Sequence, residues 1–266
     1  MLNLDRIEPS FKFPDGQPHI DIGDAVSNGF QPVEIRCRVC DPVDLFNLAM
    51  AVEIVRNKRL KFNLRIVYLM GARMDRRLSQ SEPCTLRAVA GIINSFGADC
   101  VSVFCPHSQA TSDLIERYDD QYFCYQENDF YSKSIIDAIG NSTEDVSLVF
   151  PDAGAEKRFD KMKVSSDWPS HVVLSKHREE RTGKILGIKI IDGTPKSHCV
   201  IVDDLCDGGR TFIEAAKPLR ANGANKITLV VAHGVFSKGT PLEGIDQIFT
   251  TNSFYRGSDF GVYEII

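Results

Sequence analysis

His198-Cys-Val-Ile-Val-Asp-Asp-Leu-Cys-Asp-Gly-Gly-Arg-Thr-Phe212 is the stretch whose reading decides the fold. Cys199 to Val202 form a short apolar, β-branched run of the kind a central parallel strand needs. Asp203 and Asp204 stand where that strand should end. Asp207-Gly208-Gly209-Arg210-Thr211 then opens an apolar helix, so several backbone N–H groups and the positive helix end converge on one point. Such a turn binds a phosphate, and the two adjacent carboxylates suit hydroxyls or a metal ion. A tight strand-to-helix turn with an aspartate cap shares part of this pattern. The acidic pair and the Gly-Gly turn together favour a sugar-phosphate site.

Working outward, the same scheme recurs. Val33 to Val39 alternates apolar and charged residues, the mark of a half-buried strand. After the cap pair Asp41-Pro42, the residues Leu45, Phe46, Leu48, Ala49, Val52 and Val55 make one helix face. Strands are expected at Leu64–Met70, Cys100–Cys105, Asp145–Phe150, His171–Leu174 and Lys226–Ala232. Helices are expected at Leu86–Phe96, near Ala110–Tyr118 and Asp129–Ile139, and from the opening loop to about Ala221. Pro14-Asp15-Gly16 is a turn, and Ser175 to Gly183 reads as a polar loop. Strands alternating with helices through short connections give an α/β fold with a mainly parallel sheet. Two successive series of this kind predict two similar halves, residues 1–127 and 128–266.

The composition is that of a soluble globular protein: 266 residues, 43% hydrophobic and 25% charged. A formal net charge of −5 speaks against nonspecific binding to nucleic acid or anionic membranes. The N-terminal residues Met1 to Ile7 contain no signal-peptide core, and no apolar run approaches a membrane span. The eight cysteines lie mostly in expected strands, as at Cys37, Cys100, Cys105 and Cys199. That placement fits buried thiols in a reducing compartment, and a cytoplasmic location is expected. Cys37-Arg-Val-Cys40 has no second pair at zinc-ligand spacing and reads as structural.

Ligands of open α/β sheets bind outside the carboxyl ends of the strands. Those exits here collect Arg73, Asp75, Arg76, Arg77, His107, Asp152, Lys157, Arg158, Lys176, Arg178, Asp203, Asp204, Asp207, Arg210 and Thr211. A basic run is usually a solvated face, and a histidine after a strand is usually packed or capping. The joint occurrence of these groups at strand exits points instead to phosphoryl transfer, where positioning and charge stabilisation supply most of the catalysis. No P-loop and no dinucleotide G-x-G-x-x-G is present.

Read in order, Gly71-Ala-Arg-Met-Asp-Arg-Arg77 with Ser81-Glu-Pro83, Pro106-His107-Ser-Gln109, Pro151-Asp-Ala-Gly-Ala-Glu-Lys-Arg158, Ser175-Lys-His-Arg178, Val202 through Thr211 and His233-Gly-Val-Phe-Ser237 resemble the ribose-phosphate pyrophosphokinase (PRPP synthetase) family. The similarity runs from about Phe13 to the C-terminus. It implies two tandem domains of the type I phosphoribosyltransferase fold, the ATP side in 1–127 and the pyrophosphate and ribose-phosphate loops in 128–266. It also implies transfer of the β,γ-diphosphoryl group of Mg-ATP to the anomeric hydroxyl of ribose 5-phosphate, giving PRPP and AMP. Carried over by position, His107 and Asp152 ligate Mg²⁺ and Phe13 stacks on adenine, in a segment with Asp15 and Gln17. Arg73 holds the ATP phosphates beside Met74 and Asp75. Asp152, Ala153, Gly154 and Ala155 form the pyrophosphate loop, and Lys176 and Arg178 are the catalytic cations. Asp203 and Asp204 hold the ribose hydroxyls, while Asp207, Gly208, Gly209, Arg210 and Thr211 cradle the 5′-phosphate. A homo-oligomer built from dimers is expected.

The sequence also departs from that family. Its strand and helix before the adenine segment, and its last helix, are expected to be missing. Asp15, Gln17 and Met74 replace the usual Asn, Glu and Gln. Arg210 stands where the phosphate loop usually has a small glycine, and arginine presents a fork that matches a diphosphate. A larger 5′-substituted acceptor such as ADP-ribose is therefore an alternative, giving ADP-ribose 1-pyrophosphate. A PRPP-consuming phosphoribosyltransferase and a catalytically silent regulator are the other readings this fold offers.

Overall fold

The computed structural model describes residues 1–4, 11–22, 26, 32–77, 79–140, 145–159, 170–178 and 185–265, the side chains of 176–178 and 185–186 excepted. The chain divides into two compact units, Met1–Glu127 with Ile265–Ile266, and Asn128–Glu264.

In the first unit a four-stranded sheet has the order β1-β4-β5-β6, from β1 (Leu2–Asn3), β4 (Val33–Val39), β5 (Phe62–Leu69) and β6 (Cys100–Val103). All its pairings are parallel. Helix α1 (Pro42–Asn57) starts where the sequence says it should: the Asp41 carboxylate accepts from the amides of Val43 (2.7 Å) and Asp44 (2.9 Å), and proline opens the first turn. Its buried Leu48, Ala51, Val52 and Val55 share one core with Ile35, Leu64 and Ile66 of the sheet and with Leu86, Val89, Ala90 and Ile93 of α2 (Thr85–Ser95). That core fixes the exits of β5 and β6, which matter below.

One buried ionic knot crosses this sheet. Arg65 is 8% exposed, donates to Glu34 (2.6 Å), Ser102 (3.0 Å) and Asp119 (3.2 Å), and lies 3.7 Å over the Tyr122 ring. A guanidinium so surrounded has its charge balanced and most of its donors used.

The second unit holds a seven-stranded sheet of order β13-β12-β11-β10-β7-β8-β9. The strands are β7 (Val146–Phe150), β8 (Ser170–Arg178), β9 (Ile185–Asp192), β10 (His198–Cys206), β11 (Lys226–Gly234), β12 (Gln247–Thr251) and β13 (Gly261–Tyr263). Only β8 and β9 pair antiparallel. Chain order runs outward from β7 through β8 to β9, then restarts at β10 on the other side of β7. The direction of winding therefore reverses between β7 and β10, and that is where ligands bind in open α/β sheets.

The structure is the expected α/β fold with mainly parallel sheets flanked by helices, and it corrects several local readings. Lys176 and Arg178 belong to strand β8, not to a polar loop, because β9 supplies hydrogen-bond partners through Lys176↔Ile188 and Arg178↔Ile185. The β9 strand itself was not expected, nor were β12 and β13. The helix expected to Tyr118 is α3 (Ala110–Leu114) and stops early. The chain turns at Arg117 (φ +55°) instead, and Tyr118 bridges Val101 in parallel, with Val101 N bonding to Arg117 O (3.0 Å) and Asp119 N to Val101 O (2.7 Å). A strand is also present ahead of the adenine segment, since Leu2–Asn3 pairs with Ile35 and Arg36. All eight cysteines are free thiols. No helix among the described residues is long and apolar enough to cross a membrane.

Candidate active site

In the second unit the residues expected on the acceptor side gather at the winding reversal. The pairing of β10 with β7 ends at Ile201↔Val149, whereas its pairing with β11 continues to Cys206↔Gly234. Asp203 and Asp204 thus ride on a stretch of β10 that outruns β7, rather than on a loop after the strand. Asp204 is 6% exposed, and its amide donates to Asp203 Oδ1 at 2.9 Å. Burial pushes the Asp203 carboxyl well above the ordinary carboxylate range, and the neighbouring charges of Asp204 and Asp152 push it the same way. Asp152 therefore belongs to the same electrostatic neighbourhood, two residues past β7.

Asp152 also caps a helix. Its Oδ1 accepts from the amides of Gly154 (3.0 Å) and Ala155 (3.1 Å) at the start of α5 (Ala153–Arg158). The expected pyrophosphate loop is thus a short capped turn whose first amides point at a carboxylate. Lys157 and Arg158 fall in its last turn.

Asp207 to Thr211 form the junction of β10 and α6 (Arg210–Ala221). Gly209 has φ +72°, and a Cβ there would stand 2.4 Å from Leu242 Cδ2, so the left-handed turn and the close packing both demand glycine. Phe212 and Ile213 both donate to the Gly209 carbonyl at 3.0 Å. The amides one turn earlier have no intrahelical acceptor by position and face the end of the helix. Arg210 is exposed on that first turn and Thr211 is half-buried.

Two supports of this junction were not found by sequence reasoning. The buried Tyr131, on α4 (Cys124–Ile139), donates its hydroxyl to the Asp203 carbonyl at 2.8 Å. Ser237 Oγ donates to Asp207 Oδ1 at 2.5 Å. Ser237 closes a quoted motif, yet its bond spans thirty residues and leaves no local signature.

In the first unit, Arg73, Met74, Asp75 and Arg76 from the exit of β5 and His107 from the exit of β6 line one cavity of about 390 Å³. The loop after β5 is fastened to α2, because Leu86 N donates to Met74 O at 3.2 Å. Cys105, two residues before His107, takes the left-handed region at φ +43°, a strained conformation for a non-glycine residue. Phe13, Asp15 and Gln17 lie elsewhere in this unit, on the hairpin between β2 (Phe11–Lys12) and β3 (Pro18–His19), and do not line the cavity. Phe13 N bonds to Gln17 O (2.8 Å), and Asp15 Oδ1 accepts from Gln17 N (3.0 Å). Phe13 is 41% exposed and meets Phe11 edge-on at 4.7 Å.

The side chains of Lys176 and Arg178 lie outside the described part of the structure. His107 and Asp152 belong to different units, and among the described residues no three His, Cys, Asp or Glu are grouped to hold a metal ion.

Comparison with known proteins gives a consistent assignment. Residues 179–257 match the phosphoribosyl synthetase-associated domain. The ribose-phosphate pyrophosphokinase of Mycoplasma pneumoniae is 28% identical over 253 residues, covering 91% of this chain and 74% of the relative. That of Mycoplasma genitalium is 26% identical, covering 96% and 78%. Ribose-phosphate pyrophosphokinase 3, chloroplastic, of Arabidopsis thaliana is 29% identical, covering 91% and 61%. Phosphoribosylpyrophosphate synthetase from Mycobacterium smegmatis shares the fold, with a TM-score of 0.72 at 19% identity over 96% of this chain and 85% of its own. Along most of its length the chain is similar in sequence to ribose-phosphate pyrophosphokinases, and it shares the fold of a phosphoribosylpyrophosphate synthetase.

Proposed function

We propose that the protein transfers the β,γ-diphosphoryl group of Mg-ATP to the anomeric hydroxyl of ribose 5-phosphate, giving PRPP and AMP. The observation that carries this reading is the winding reversal between β7 and β10, which gathers Asp152, Asp203, Asp204 and the Asp207–Thr211 junction in one unit. Asp203 and Asp204 accept hydrogen bonds from the ribose hydroxyls, and the first turn of α6 receives the 5′-phosphate. Arg73, with Arg76 beside it, neutralises ATP phosphates in the first unit. The anomeric oxygen bonds to Pβ, the bond from Pβ to the α-phosphate oxygen breaks with its electron pair leaving on AMP, and the hydroxyl proton passes to solvent. Lys176 and Arg178 stabilise the charge on the equatorial oxygens of Pβ.

A hard divalent cation fits the donor chemistry. The crowded carboxyl of Asp203, raised by burial and by Asp204 and Asp152, is the kind of group a cation relieves. By family resemblance His107 and Asp152 would each be a cation ligand, and the ion would supply charge neutralisation on the phosphates.

Arg210 favours a second reading in which the acceptor carries a 5′-diphosphate, as ADP-ribose does. It stands exposed on the first turn of α6, beside the left-handed Gly209, where a bidentate donor would meet a second phosphoryl group. The deciding experiment supplies Mg-ATP with ribose 5-phosphate or ADP-ribose and identifies products by mass spectrometry. AMP with PRPP supports the first reading, and AMP with ADP-ribose 1-pyrophosphate the second. AMP release with neither acceptor rejects both.

A further inference from the structure

We infer that Lys238 is a second cation of the acceptor-phosphate cradle, supplied by the loop after β11 rather than by the β10–α6 junction. The inference rests on reading that junction as the place where the acceptor's phosphate binds, and adds the residue that closes it from the other side. A Cβ built on Gly208 would stand 3.3 Å from Lys238 Cδ and 3.5 Å from both its Cγ and its Cε. Three consecutive carbons of the lysine stem therefore lie flat on the backbone at Gly208, and the ammonium group is one bond beyond. A side chain at 208 would crowd that stem.

The loop that carries Lys238 is fixed against the cradle at three further points. Val235 N donates to Cys206 O at 2.8 Å, Ser237 Oγ donates to Asp207 Oδ1 at 2.5 Å, and Leu242 fills the space a side chain at 209 would need. Phe236 between them adopts φ +47°, which turns the chain back over the junction. Lys238 as a whole is exposed. Its ammonium is a compact charge with three donors, suited to a phosphate oxygen, whereas Arg210 offers a planar fork. Two cations of different shape, one from each loop, thus flank one anion site. The ligand class is a phosphorylated sugar, its phosphoryl group a monoester or a diphosphate.

The test is the kinetics of Lys238→Met and Lys238→Arg with Mg-ATP and either ribose 5-phosphate or ADP-ribose. Lys238→Met should raise the acceptor KM about tenfold, as loss of a charge-assisted hydrogen bond does. KM for ATP and kcat should stay within about twofold of the parent, and Lys238→Arg should restore most of the acceptor affinity. A larger loss with the diphosphate acceptor assigns the ammonium to the outer phosphoryl group, and an equal loss to the inner one; each supports the role. An unchanged acceptor KM in a Lys238→Met protein of parental melting temperature overturns it. So does a KM for ATP that rises as much as that for the acceptor. If the parent protein shows no turnover, calorimetric titration with ribose 5-phosphate and with ADP-ribose replaces kinetics. Binding that weakens in Lys238→Met then upholds the lysine although the proposed reaction fails, and binding of neither acceptor overturns both.

Discussion

The two units arrange charge in opposite ways. In the first, strands are added in one direction across the sheet, so the exits of β5 and β6 lie side by side and present Arg73, Arg76 and His107 exposed around an open cavity. In the second, the reversal between β7 and β10 surrounds two carboxylates with protein, and Asp204 is all but inaccessible. An exposed guanidinium keeps its charge at little cost and suits a triphosphate that arrives with its own counterions. A buried carboxylate pair is costly to keep charged and discriminates sharply among partners, because only a hydroxyl or a cation in the right place satisfies it. On the proposed reading, the contrast teaches that the ATP side would be built for charge and the acceptor side for shape.

Four measurements would break or sharpen that contrast. The largest effect belongs to the buried pair: Asp203→Asn with Asp204→Asn should lower turnover about a thousandfold, since misplacing or unpairing an acceptor costs catalysis directly. ATP affinity, measured by equilibrium binding, should be unaffected; an equal loss there would erase the division of labour. Next comes Arg65→Leu, which leaves Glu34 and Asp119 without their buried partner and should destabilise the protein by about 3 kcal/mol in denaturant unfolding. A neutral result would mean that the knot is dispensable. Arg73→Ala should raise the KM for ATP about tenfold through one lost charged contact and leave the acceptor KM alone.

The smallest effect is a pH slope. Burial, with Lys226 nearby, pushes the His198 imidazole down to about 4 against a weaker pull from Asp246. The unfolded imidazole takes up its proton near its ordinary 6.5, so the stability owed to His198 is whole above that value and drains away as pH falls to about 4. In the first unit, Asp119 is opposed by burial, yet hydrogen bonds from Gln121 N and Cys100 and the charge of Arg65 bring its carboxyl below the ordinary 3.8. Its contribution is whole above 3.8 and is lost only as pH falls through the lower folded value. Unfolding followed between pH 7 and pH 4 should therefore weaken the second unit first. His198→Gln should flatten that slope; an unchanged slope would place the titrating group elsewhere.

Much of this was legible in residue order. The run Cys199–Val202, its acidic pair and its glycines mark strand, carboxylates and helix start because each feature is local and of few kinds. Asp41-Pro42 marks α1 for the same reason. The β8–β9 pairing was hidden because Lys176, His177 and Arg178 look like loop residues until Ile185 to Asp192 gives them a partner. Early termination of α3 was hidden too, since the bridge of Tyr118 to Val101 is a contact across the fold that no local pattern reports. Tyr131 and Ser237 act across 72 and 30 residues, and no periodicity reports such contacts.

One feature of the sheet bears on how the acceptor side works in time. Strand β10 is hydrogen-bonded on both flanks, to β7 as far as Ile201 and to β11 throughout. Its core amides should be among the slowest in the unit to exchange with deuterium, since they open only when the sheet does. The carboxylates of Asp203 and Asp204 begin two residues past that doubly paired stretch, where β11 alone still holds the strand, so on the proposed reading an arriving sugar would meet them largely in place. Little ordering entropy is left for the binding step, so acceptor affinity should vary weakly with agents that soften loops. The proposed acceptor side would then be ordered before it is occupied.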